Sequence, residues 1–111
     1  MKITSIDSTV KTEVSHNPKI KKHVLVANDE VVNVTNFSLA VFPPGEIACA
    51  HSHSDMTEIF WVESGQGVIT VNAKSIPLEA GMCVTVEPEE KHEIKNTGSI
   101  DLVVLCFGIK A

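Results

Sequence analysis

The chain contains no arginine and no tyrosine. Arginine is the usual bidentate partner of a carboxylate or phosphate, and tyrosine is a common proton donor in buried sites. Whatever this protein binds, it does so without either group. All nine basic residues are lysines, set against 14 acidic ones. The resulting net charge of -5 repels phosphate backbones and argues against nucleic acid as a partner. Nor is there a run approaching the roughly 20 apolar residues of a membrane helix. Met1 to Thr9 carries charge and hydroxyls where a secretory signal would be apolar. No membrane association and a cytoplasmic location are the expectations. The three cysteines, Cys49, Cys83 and Cys106, form no Cys-x-x-Cys pair and cannot all be paired within one chain. Each is flanked by apolar residues, as buried free thiols usually are, which fits a reducing compartment.

Low-complexity linkers, fixed-period repeats and sustained helical periodicity are also missing, apart from an ambiguous stretch at Ile3 to Val14. What remains is 111 residues, enough for one core, with 43% hydrophobic residues, the share of an ordinary globular domain. A polar segment to residue 22 reads as an N-terminal arm, and residues 37–107 read as the core of a single domain spanning 1–111. Within that core, short β-rich runs alternate with turn residues. Phe37 to Phe42 meets Pro43-Pro44-Gly45, Glu58 to Val62 meets Glu63-Ser64-Gly65, and Leu102 to Phe107 stops at Gly108. Strands repeating at this spacing predict an all-β sandwich or barrel.

One stretch carries chemistry. His51 and His53 are spaced i and i+2, so on a strand both point to one face. A short polar turn separates them from Glu58, and His92 opens a later run after Pro88-Glu89-Glu90-Lys91. Three imidazoles and a carboxylate suit Mn, Fe, Co, Ni, Cu or Zn, whereas Mg and Ca prefer all-oxygen sites. On residues alone, four unrelated polar side chains remain the alternative. His16 and His23 read as solvated.

Gly45, His51, His53, Glu58 and Gly65, with gaps of five, one, four and six residues, match the first motif of the cupins. Gly81, Pro88, His92 and Asn96 resemble the second, although Glu87 stands where that family usually has proline and Glu89 where it has glycine. The resemblance implies a double-stranded β-helix, a jelly-roll barrel of the cupin type. It further implies one divalent metal (Mn, Fe, Ni, Cu or Zn) held by His51, His53, Glu58 and His92. Strand parity then places Ile47, Cys49, Phe60 and Val62 on the pocket wall, with Ile59 and Trp61 outward. Small cupins are commonly dimers, which makes Trp61 a candidate homodimer residue.

A mixed imidazole and carboxylate site with open positions can bind oxygen or polarise a substrate oxygen. The expected function is therefore a metal-dependent oxygenase, lyase or isomerase, with Glu58 as ligand or, if loosely held, as catalytic base. Cupin epimerases and several cupin lyases rely on Tyr or Arg, so their mechanisms do not transfer intact. A carboxylate or phosphate substrate would need a lysine, and Lys74, Lys91 and Lys95 have no evident reason to face inward. A small neutral molecule, such as a phenol or dicarbonyl compound, is the expected ligand. The alternative is a non-catalytic metal- or small-ligand-binding or sensing barrel.

Overall fold

β-Branched and aromatic runs closed by Gly-, Pro- or Asn-containing turns favour short antiparallel strands over helices. A computed structural model describes residues 1–9, 11–14 and 17–111, so that His16 lies outside the described residues. After a 3₁₀ turn at Ile6–Ser8 come β1 (Lys11–Val14), β2 (Asn17–Val26), β3 (Val34–Phe42), β4 (Ile47–His51) and β5 (Met56–Ser64). They are followed by β6 (Gln66–Val71), β7 (Lys74–Glu79), β8 (Cys83–Val86), β9 (His92–Asn96) and β10 (Leu102–Lys110). One sheet runs β1-β2-β3-β10-β5-β8 and the other β4-β9-β6-β7. The two sheets form the jelly roll expected from the sequence, without joining edge to edge into a closed barrel. Among the described residues no helix is long and apolar enough to cross a membrane.

The core lies between the sheets and follows from register. Ala40 of β3, Val104 of β10 and Val62 of β5 are paired across the larger sheet, and Ser38, Cys106 and Phe60 form the next row. Ala48, Ile69, Leu78 and Ile94 close the core from the other sheet. Each large apolar side chain buried this way contributes about 1.5–3 kcal/mol.

The segment up to residue 22, read from sequence as an arm, includes β1 and the first half of β2. β2 pairs with β3, Lys22 opposite Ala40, and Ile20 is fully buried on the inner face. On the outer face, His23 is buried rather than solvated, with its Nδ1 3.2 Å from the Thr9 hydroxyl. The Thr4 hydroxyl donates to the Leu25 carbonyl, so residues 1–9 lie over this side of β2. Cys49 and Cys83 are exposed, contrary to the buried thiols expected from their apolar neighbours. Apolar flanks alternate around an exposed strand position as readily as around a buried one.

Two residues of the sequence motifs are structural. Gly65 turns β5 into β6 with φ +89°, and a Cβ there would strike the Asp101 carbonyl oxygen and come within 2.8 Å of Leu102 Cα. Asn96 is fully buried. Its Nδ2 donates to the carbonyls of Phe42 and Ile100, each at 2.8 Å, while its Oδ1 accepts from the Gly98 amide. One side chain thus ties β9 to the end of β3 and to the turn into β10.

Gly65→Ala is expected to destabilise the protein by about 2 kcal/mol or more, from left-handed strain plus the backbone clash. Gly81→Ala serves as the comparison, because Gly81 has φ +89° with open space around it. Urea denaturation should show the smaller loss for Gly81→Ala; equal losses would mean that the close approach of Asp101 contributes nothing.

Candidate metal centre

The site is assembled from three places in the chain. β4 and β9 are paired so that His51 lies opposite His92. Glu58 reaches the same point from β5 in the other sheet. His53 lies beyond the end of β4 rather than on it. Its carbonyl accepts the Glu89 amide at 2.7 Å, which pins the loop against the turn leading into β9. One potential ligand atom from each of His51, His53, Glu58 and His92 lies within 4.8 Å of all the others. All four candidate ligands from the sequence are therefore together.

Backbone carbonyls set the histidine chemistry. His51 Nδ1 lies 2.8 Å from the Cys49 carbonyl, and His92 Nδ1 lies 3.0 Å from the Glu90 carbonyl. A carbonyl only accepts, so both Nδ1 atoms carry the proton, and a neutral ring then presents a bare Nε2. Glu58 Oε1 is 3.0 Å from His53 Nε2 and 3.2 Å from His92 Nε2. Yet Glu58 Oε1 and His92 Nε2 are buried without a hydrogen-bond partner. Buried lone pairs converging without a donor between them are costly. A cation removes that cost, and the donor set fits a transition metal.

Protonation tendencies agree with close coupling. Burial pushes the Glu58 carboxyl up, but His92 and the charges of the three imidazoles outweigh it and hold the group below the usual carboxylate range. Burial, reinforced by the neighbouring His51 and His92, holds His53 below its ordinary value against the pull of Glu58 and Asp55. His92 is also disfavoured as a cation by burial, yet Glu58 and the carbonyl and charge of Glu90 raise it overall.

These four side chains open into a cavity of about 480 Å³. Phe60 lines it from the inward face of its strand and Cys49 from the rim, together with Ala48, Phe42, Ile94 and Cys106. Ile47 and Val62 do not. Val62 sits deeper in the core, fully buried. Ile47 is displaced by a bulge: two residues, Cys49 and Ala50, separate Ala48 from His51, where one, Glu93, separates their partners Ile94 and His92. The extra residue breaks the period of two, so Ala48 faces inward and Cys49 sits at an exposed rim. Along Glu58 to Val62 of β5, where the pairing is regular, the alternation holds, with Glu58, Phe60 and Val62 buried and Trp61 outward at 39% exposure. Cys106 is no thiolate: burial, then the Glu58 charge, push its thiol up to about 12 despite Lys22.

Lys22 is the lining residue that the sequence did not single out. Lys74, Lys91 and Lys95 are exposed, as expected, but Lys22 reaches the cavity from β2. The available signal was its i+2 spacing from Ile20, within a segment read as polar arm rather than strand.

Comparisons with known proteins follow the same lines. The sequence profile of the family described as "Cupin domain" matches residues 38–108. An oxalate-binding protein of Thermotoga maritima is 36% identical over 70 residues, covering 63% of this chain and 58% of the relative. A glucose-6-phosphate isomerase of Thermococcus onnurineus is 26% identical over 104 residues, covering 82% of this chain and 55% of the relative. The chain thus spans between half and two thirds of the length of these curated relatives. Among solved structures, a predicted oxalate decarboxylase from Thermotoga maritima superposes with a TM-score of 0.89 at 24% identity, covering 99% of this chain and all of that one.

The turn that supports His53 and His92 contains Glu89 at φ +72°, the left-handed conformation that a glycine at this position would take without strain. Glu89→Gly should raise stability by about 1 kcal/mol and leave metal content unchanged. Thermal unfolding checks the first expectation and elemental analysis the second; a loss of stability would show that the glutamate side chain supports the turn.

Proposed function

This chain belongs to the cupin family, and on that premise we propose that it holds one divalent transition metal on His51, His53, Glu58 and His92 and binds a small molecule beside it. The observation that carries this reading is the convergence of buried, unpartnered Glu58 Oε1 and His92 Nε2, with the His51 and His92 rings locked from behind by backbone carbonyls. When bound, Mn, Fe, Ni, Cu or Zn would supply Lewis acidity toward a ligand oxygen, and the redox-active members of that set would supply electron transfer. Glu58, held below the usual carboxylate range, stays ionised at neutral pH and serves as ligand or, where loosely held, as base. Phe60, Ile94 and Ala48 exclude water from one side of the cavity. Cys106, protonated at neutral pH, is wall rather than nucleophile.

Oxygenase, lyase or isomerase chemistry on a small molecule remains the enzymatic form of this proposal. The names of the relatives, an oxalate binder and a sugar-phosphate isomerase, support a small oxygen-rich ligand. A non-catalytic holding role is favoured by one feature. Apart from the four ligands, the titratable groups among the described lining residues are Lys22, Cys49 and Cys106, which offer no second carboxylate or imidazole to relay a proton. The free thiols support the cytoplasm as the proposed location.

A homodimer is part of the same proposal. The outer face of the larger sheet carries Leu39, Leu105 and Trp61 in one row and Phe37, Phe107 and Ile59 in the next. An outward face this apolar departs from the polar alternation of a solvated sheet. Trp61→Glu should convert a dimer to a monomer in light scattering coupled to gel filtration; a wild-type monomer would remove this part of the proposal.

Purified protein should contain about one transition-metal ion per chain by elemental mass spectrometry. His51→Ala or His92→Ala should lower occupancy at least about tenfold, since each removes a direct ligand, whereas His16→Ala should not. Equal metal content in all three variants would overturn the assignment. Occupancy should also fall on acidification through about pH 6, as protons compete for the imidazole nitrogens while the low-lying Glu58 carboxylate stays ionised.

A further inference from the structure

Lys22 occupies an unusual position for a lysine. Its neighbours Lys19 and Lys21 are exposed, but Lys22 shares the inner face of β2 with the fully buried Ile20 and lines the cavity that holds the candidate metal ligands. Among the side chains that the structure describes, which do not include that of Glu13 on β1, no carboxylate lies within ion-pairing distance of its ammonium, although Lys19 and Lys110 both have such partners. A lysine lining a cavity together with Ala40, Phe42 and Cys106 gains most from a counter-charge supplied by whatever enters. Glu58 is the one carboxylate among the described lining residues. Once a dication is bound there, the cavity as a whole is positive, inside a chain whose net charge is -5.

The two charged ends are well separated. Lys22 is on β2 and Glu58 on β5, with β3 and β10 between them. Lys22 lies in the row of Ala40, Val104 and Val62, and Glu58 is four residues further along β5; three strand spacings and that rise put their backbones roughly 20 Å apart along the sheet. Cys106, on the intervening β10, lines the cavity between them. Resting on the metal reading above, we propose that Lys22 is the specificity residue of the cavity and selects a small dicarboxylate, one end of which meets the metal centre while the other pairs with the Lys22 ammonium. A cavity of about 480 Å³ has room for such a molecule. Oxalate is too short to reach both ends, so a four- or five-carbon dicarboxylate fits the span better. This replaces the neutral ligand expected while no inward lysine was apparent.

Calorimetric titration of Zn(II)- and Mn(II)-loaded protein with oxalate, succinate, glutarate and the uncharged succinamide tests it, with metal content measured on every sample. Succinate or glutarate should bind and succinamide should not. Lys22→Met keeps the apolar stem and should weaken the longer dicarboxylates at least about tenfold, the size of a lost charge-assisted hydrogen bond. Oxalate should be affected less, and Lys22→Arg should restore much of the loss. Lys21→Met makes the same change in net charge at an exposed site and should alter affinity by less than about twofold. If Lys22→Met retains its metal and binds the dicarboxylates as the wild type does, or if Lys21→Met weakens them equally, the role of Lys22 is overturned and the metal centre stands. If the wild type takes up no metal, both readings fall, and the elemental analysis identifies that case. Failure of every dicarboxylate to bind metal-loaded wild type overturns the Lys22 proposal alone.

Discussion

Two lone pairs, on Glu58 Oε1 and His92 Nε2, face each other across 3.2 Å in a place that water does not reach. Much of the surrounding structure reads as the means of holding them there. His92 is placed by the pairing of β9 with β4, and its ring is turned by the Glu90 carbonyl. Glu58 comes from the opposite sheet, so the contact also fixes how the two layers stack at the open end of the sandwich. A buried carboxylate beside a buried imidazole is expensive to assemble and adds little stability on its own. Such an arrangement makes physical sense where a cation completes it.

The supporting contacts are backbone-directed and local. Asn96 closes the far end of β9 with three hydrogen bonds, and the Glu89 amide fastens the loop carrying His53. None of these contacts uses a candidate ligand atom, so they position the ligands independently of the metal. Glu89 shows that the turn tolerates a residue the family motif disfavours, because its backbone amide does the fastening and its side chain is not required for it. The bulge in β4 has a similar purpose in geometric terms. It turns Cys49 and Ala50 to the rim and leaves His51 aimed inward opposite His92.

Charge is distributed unevenly along the cavity. One end gathers imidazoles and a carboxylate, the middle is apolar with a protonated thiol, and the opposite side carries Lys22. With no arginine and no tyrosine in the chain, lysine is the one strongly cationic side chain this protein has for a bound anion. Its flexible stem lets a strand position remote from the metal ligands contribute to the same cavity.

The all-β architecture and the four candidate ligands were legible in the sequence for a common reason. Turn residues and motif spacings are local, and a His-x-His pair followed by Glu58 needs only a hairpin to bring three ligands near one another. Parity was equally dependable over Glu58 to Val62 of β5, where the pairing is regular, which is why Phe60 and Trp61 face the sides expected of them. Three things were decided only by tertiary structure. The bulge in β4 arises from pairing with β9, a partner some 40 residues away, and nothing in Ile47 to His51 announces it. His23 is buried because residues 1–9 fold over β2, a contact without a periodic signature. Lys22 becomes a cavity residue because β2 joins the sheet beside β3, so a lysine in a polar-looking segment inherits the inward face from Ile20. Local pattern determines which strands form and which residues could be ligands; which face each strand buries depends on its neighbours in space.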